Sequence, residues 1–72
     1  MNTNVALFDA MRTTAHERIA ALGWEPSQVT GQKFRPAALR LRDHLSEKFP
    51  GLYKPWVESV AYTALKDRGF HF

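Results

Sequence analysis

Four cations, Lys33, Arg35, Arg40 and Arg42, stand within ten positions. Basic side chains at that density hold phosphate oxygens. On a helical wheel Arg35 and Arg42 share an exposed flank with Leu39, while Arg40 takes the other flank near Glu47, about 160° from Arg42 at roughly 100° per residue. The plain structural alternative is a solvated helix surface on which Arg40, Asp43 and Glu47 make weak contacts three and four residues apart. A second group of polar side chains, Ser59, Tyr62, Thr63 and Lys66, projects away from the apolar face of a later helical segment, with Lys54 at its start. Hydroxyls and ammonium groups of this kind reach phosphates and base edges. Large apolar residues off the helical stripes make a different surface. Leu39, Tyr53 and Trp56, with the rings of Phe70 and Phe72 in the tail, form the expected patch for a protein partner or a second copy of the chain.

Reactive constellations are missing from the sequence. His16-Glu17 starts like the H-E-x-x-H zinc motif, but Ala20 stands where the second histidine is required, and His44 and His71 have no ligand neighbour at helical spacing. Ser27, Ser46 and Ser59 lack the Gly-x-Ser-x-Gly context of a nucleophile elbow. Gly23, Gly31, Gly51 and Gly69 are scattered singly, which builds no phosphate-cradling loop. A non-enzyme without metal or cofactor is expected.

Three helical segments must position these residues. Residues 5 to 22 carry Phe8, Met11, Ala15, Ile19 and Leu22 at spacings of three and four, with Asn4 as N-cap, Thr13, Glu17 and Ala21 on the opposite side, and Gly23 as stop. Residues 36 to 48 open on Pro36 and bury Ala38, Leu41 and Leu45, led in by Phe34 and followed by Phe49. Pro50-Gly51 ends that segment. Residues 55 to 68 open on Pro55 and turn Val57, Val60, Ala61, Ala64 and Leu65 inward, with Lys66 and Arg68 at the negative end of the dipole and Gly69 as C-cap. The last two segments, with a short turn between them, have the order of a helix-turn-helix, the second as recognition helix. Between the first two lies a loop of about a dozen residues, either functional or poorly ordered. Trp24, Val29 and Phe34 pin it, and Val29-Thr30 and Lys33-Phe34 have the composition of a very short strand.

Length admits a single domain over residues 1 to 72, thin in core but with two Trp, two Tyr and five Phe to fill it. The expected fold is all-α, a compact three-helix domain. The chain has no cysteine, which suits a reducing cytoplasm. Its opening residues lack the cationic start of a signal peptide, and no apolar run is long enough for a membrane span, so a complete soluble chain without membrane contact is expected. The net charge of +3 is compatible with nucleic acid without requiring it. Two functions remain: a small nucleic-acid-binding or regulatory protein using the basic cluster and the exposed face of the third helix, or a protein-binding inhibitor or adaptor of the phage or mobile-element type using the aromatic patch.

Overall fold

The stripes read from the sequence close on one another in the computed structural model, which describes residues 3 to 70. Helix α1 spans Thr3–Leu22, α2 spans Phe34–Lys48 and α3 spans Lys54–Asp67, giving an all-α three-helix domain. All five residues expected to face inward from α3, Val57, Val60, Ala61, Ala64 and Leu65, are buried, as are Ala38, Leu41 and Leu45 of α2 and Met11, Ala15 and Ile19 of α1. The stripe of α1 thins at its ends: Phe8 is half-buried and Leu22 exposed. At about 1.5 Å per residue α1 is roughly 30 Å long against about 21 Å for α3, so it outruns the helix it lies on.

Helix direction follows from a few side chains. Phe34 at the start of α2 stacks on Tyr62 in α3, with ring centroids 5.2 Å apart, so α2 runs back along α3 as in an αα-hairpin. Asn4 shares a concavity with Tyr53, Pro55 and Trp56 at the start of α3, whereas Arg12 and His16 reach Asp67 at its end. Helix α1 therefore runs in the same sense as α3. The α2–α3 interface is the most extensive of the three.

Two boundaries differ from expectation. Asn4 lies inside α1, which has already begun at Thr3, so it is not the N-cap. Helix α2 begins at Phe34, two residues before Pro36, because the 3-10 turn Gly31–Lys33 feeds directly into it through a bond from the Phe34 N–H to the Gly31 carbonyl. Pro36 still sits in the first turn, where a missing N–H costs no intrahelical bond. The connection between α1 and α2, residues 23 to 33, has about the expected length and is built around two 3-10 turns, Pro26–Gln28 and Gly31–Lys33, with Val29 buried between them. Thr30 makes an isolated bridge, and Lys33 and Phe34 are helical rather than extended.

Glycine ends α1 and α3 in the same way. Gly23 and Gly69 take φ of +70° and +89°, and in each case the following residue donates back five positions, Trp24 to the Ile19 carbonyl and Phe70 to the Leu65 carbonyl. These are Schellman motifs, whose second residue folds its side chain back over the helix end. Phe70 accordingly is only 2% exposed and belongs to the core, not to an aromatic tail surface. The expectations for His71 and Phe72 lie outside the described residues.

Candidate nucleic-acid interface

Packing α2 against α3 joins the two predicted polar groups at one point. Arg35 stands at the second position of α2, and its Nη1 lies 3.4 Å from the Tyr62 hydroxyl of α3, to which it donates, while Nη2 is 3.8 Å from Glu58 Oε1. Both contacts are long. The guanidinium side chain is 68% exposed, so most of its five donors still face water. Around the pair lies a concavity of about 500 Å³ bordered by Gly31, Gln32, Phe34, Arg35 and Tyr62. Phe34 and Tyr62 contribute rings to its lining and Arg35 a cation. Exposed Lys33 precedes Phe34, and exposed Lys66 follows Tyr62 by one helical turn.

The other cations are placed differently. Arg40 leaves this side altogether and sits over the indole of Trp24, 5.6 Å from the ring centroid. That is cation–π geometry, and it depends on the Schellman turn that brings Trp24 back onto the bundle. The sequence expectation of contacts with Asp43 and Glu47 is not what forms around Arg40. Arg42 instead holds Asp43, its Nε and Nη2 lying 3.2 and 2.9 Å from Asp43 Oδ1, and only 25% of its side chain is exposed. Lys54 is exposed beside a second concavity that Asp43 and Glu47 also border.

Hydroxyls on α3 are partly committed to the helix itself. Ser59 Oγ donates to the Trp56 carbonyl at 2.6 Å, and Thr63 Oγ1 donates to the Ser59 carbonyl at 2.9 Å. Once its proton is spent this way, a hydroxyl offers only lone pairs, which phosphate oxygens cannot use. The cationic face therefore narrows to Lys33, Arg35, Tyr62 and Lys66.

The residues expected to meet a protein partner do not form one patch. Tyr53 is 74% exposed and shares a shallow concavity of about 610 Å³ with Asn4, Pro55 and Trp56. Trp56 is half-buried and packs on the core, and Leu39 is half-buried on α2. Phe70 points inward.

One polar cluster went unread in the sequence. Arg12 Nη2 donates to Asp67 Oδ1 at 2.7 Å, Arg12 Nε donates to Asp67 Oδ2, and His16 Nε2 lies 3.1 Å from the same Oδ2. The hydrogen bond from Arg12 holds the Asp67 carboxyl below its usual range, against the opposing effect of desolvation, and Asp67 in turn raises the Arg12 guanidinium. Arg12 and His16 stand four apart on one flank of α1, a spacing visible in the sequence, but Asp67 joins them only through the parallel packing of α1 and α3. No group of three or more potential metal ligands occurs among the described residues, and none of the helices is long and apolar enough to cross a membrane. Compared with known proteins, the chain matches no family model, no curated protein and no solved structure.

Proposed function

We propose that this chain is a small nucleic-acid-binding protein, regulatory rather than enzymatic, that holds a phosphate backbone on the face shared by the start of α2 and the middle of α3. The observation that supports it is the Arg35–Tyr62 contact, which joins the polar groups of α2 and α3 beside one concavity, with exposed Lys33 and Lys66 near them in the sequence. Exposed cations beside a π surface are what a nucleic-acid strand needs from a protein. A chain without cysteine suits the cytoplasm, where such a regulator would work.

Fluorescence anisotropy with labelled single strands and duplexes over a salt series tests this reading. Affinity should fall linearly in log–log form, and the double variant Lys33→Gln, Arg35→Gln should flatten the slope by about 1.4 log units for a single strand or about 1.8 for a duplex. No binding to either at low salt, or an unchanged slope, would remove the proposal. The exposed Tyr53, with Trp56 and Pro55 beside it, favours a second reading as a protein-binding adaptor or a self-associating chain. Partners recovered on the immobilised protein despite nuclease treatment would support that reading instead.

A further inference from the structure

We propose that the junction of α1 and α2 carries a second phosphate-binding face, on which Arg18, Arg40, His44 and Lys48 lie along a run of phosphates in a nucleic-acid backbone. This rests on the nucleic-acid reading above and adds a surface which that reading does not use. Arg40, His44 and Lys48 follow one another at four-residue spacing on α2, about one helical turn apart, so they form a single row. The row is about 12 Å long. That length exceeds one phosphate group and suits a chain of them. Arg18 of α1 joins the row near its middle, close enough to His44 for its charge to act on the ring, as the charge of Lys48 does.

These cations are open to an anionic ligand. Arg18, Arg40 and Lys48 are all exposed, and among the described residues none of them makes an ion pair with a carboxylate. Of the charges that act on His44, those of Arg18, Lys48 and Glu47, the carboxylate has the least effect. Trp24 holds Arg40 at 5.6 Å from its ring centroid, which steadies the guanidinium without cancelling its charge. Cations gathered from two helices repel one another, and a bound phosphate relieves the repulsion. Arg35 and His44 are about two and a half helical turns apart, which puts them on opposite sides of α2. The row is therefore a separate surface and not an extension of the α2–α3 face.

His44 gives this face a dependence on pH. In the free protein its ring is held neutral at neutral pH, since desolvation and the two cations keep its pKa below 6.5. A phosphate beside it favours the imidazolium, which then adds one more cation to the row. Binding should take up a proton.

The test is fluorescence anisotropy of the full chain with a labelled duplex, over a salt series at about pH 8 and again at about pH 5.5, on either side of the ordinary histidine value. At the higher pH the double variant Arg18→Gln, Lys48→Gln should flatten the log–log slope by about 1.8 units, the share of two phosphates. At the lower pH the slope of the parent should steepen by up to about 0.9 units, the share of one more phosphate, and His44→Gln should remove that change. The comparison of the parent at two pH values needs no variant to fold. A double variant that keeps the parent slope while Lys33→Gln, Arg35→Gln flattens it would overturn this inference and leave the nucleic-acid reading standing. A parent slope indifferent to pH would count the same way, as would Arg18 and Lys48 being needed for binding to phosphatidylserine vesicles but not to the duplex. Absence of any binding to the duplex or to a single strand at low salt would overturn both.

Discussion

Arg12 and Asp67 clamp the middle of α1 to the last turn of α3 through two parallel hydrogen bonds, from Nε and Nη2 to the two carboxylate oxygens. An aspartate in the final turn of a helix faces the negative end of the dipole and is unfavourable there by itself. The guanidinium compensates, and it ties together two helices that are not sequence neighbours. Bidentate geometry fixes orientation as well as distance, so the clamp also sets the register in which α1 lies along α3.

Acid unfolding should therefore depend on Asp67. Its folded-state pKa is lowered, chiefly by the Arg12 hydrogen bond, so its contribution is complete above the ordinary carboxylate value of 3.8 and is lost as pH falls through the lower folded value. Thermal melts from neutral pH down to about pH 2 should show Asp67→Asn less stable than the parent at neutral pH and converging with it at the acid end. Parallel curves for the two proteins would disprove the link.

His44 acts in the opposite region of pH. Its pKa is pushed below 6.5, first by desolvation and then by the nearby charges of Arg18 from α1 and Lys48 from its own helix, with Glu47 opposing. The folded state prefers the neutral ring. Stability should fall as pH drops through the ordinary histidine value toward the lower folded one, and stay flat above it. His44→Gln should remove that dependence, which denaturant titrations at pH 5 and pH 8 would measure.

Leu45 is fully buried in the last turn of α2. Leu45→Ala should cost about 2 to 5 kcal/mol, the usual range for opening a cavity in a packed core. In a domain this small that is a large share of the total stability. Equilibrium urea unfolding gives the value, and a loss well under 1 kcal/mol would mean that α2 is not packed as described.

Periodicity made the three helices and most of their core legible, because an amphipathic stripe depends only on spacing within one element. The Val57, Val60, Ala61, Ala64, Leu65 face of α3 needed nothing else. What the spacing did not contain were relations between elements. Arg35 meets Tyr62, and Arg12 meets Asp67, only because α2 runs back along α3 and α1 runs forward along it. Phe70 marks a different loss. Read as part of an extended tail it belongs on the surface, yet glycine followed by a large apolar residue is itself the mark of a Schellman turn that folds the ring onto the helix. Arg40 illustrates the same point, since its stacking partner Trp24 holds the equivalent position after Gly23.

Trp56 and Tyr53 separate the two functional readings, because they share one concavity but differ in burial. Tyr53 is 74% exposed and supports nothing in the core, whereas Trp56 is half-buried and packed against it. Tyr53→Ala should therefore leave the melting temperature nearly unchanged, while Trp56→Ala should lower stability by up to about 3 to 5 kcal/mol, less in proportion to the part of the ring already in water. If this end of the molecule docks a protein or a second copy, Tyr53→Ala should also weaken that association by on the order of 2 kcal/mol, with nucleic-acid affinity untouched, since Tyr62 stands further along α3, where Arg35 of α2 meets it. Sedimentation equilibrium beside anisotropy on the same variant measures both. A Tyr53→Ala protein that keeps its fold, its assembly state and its captured partners would eliminate the docking reading and leave the α2–α3 face as the functional surface.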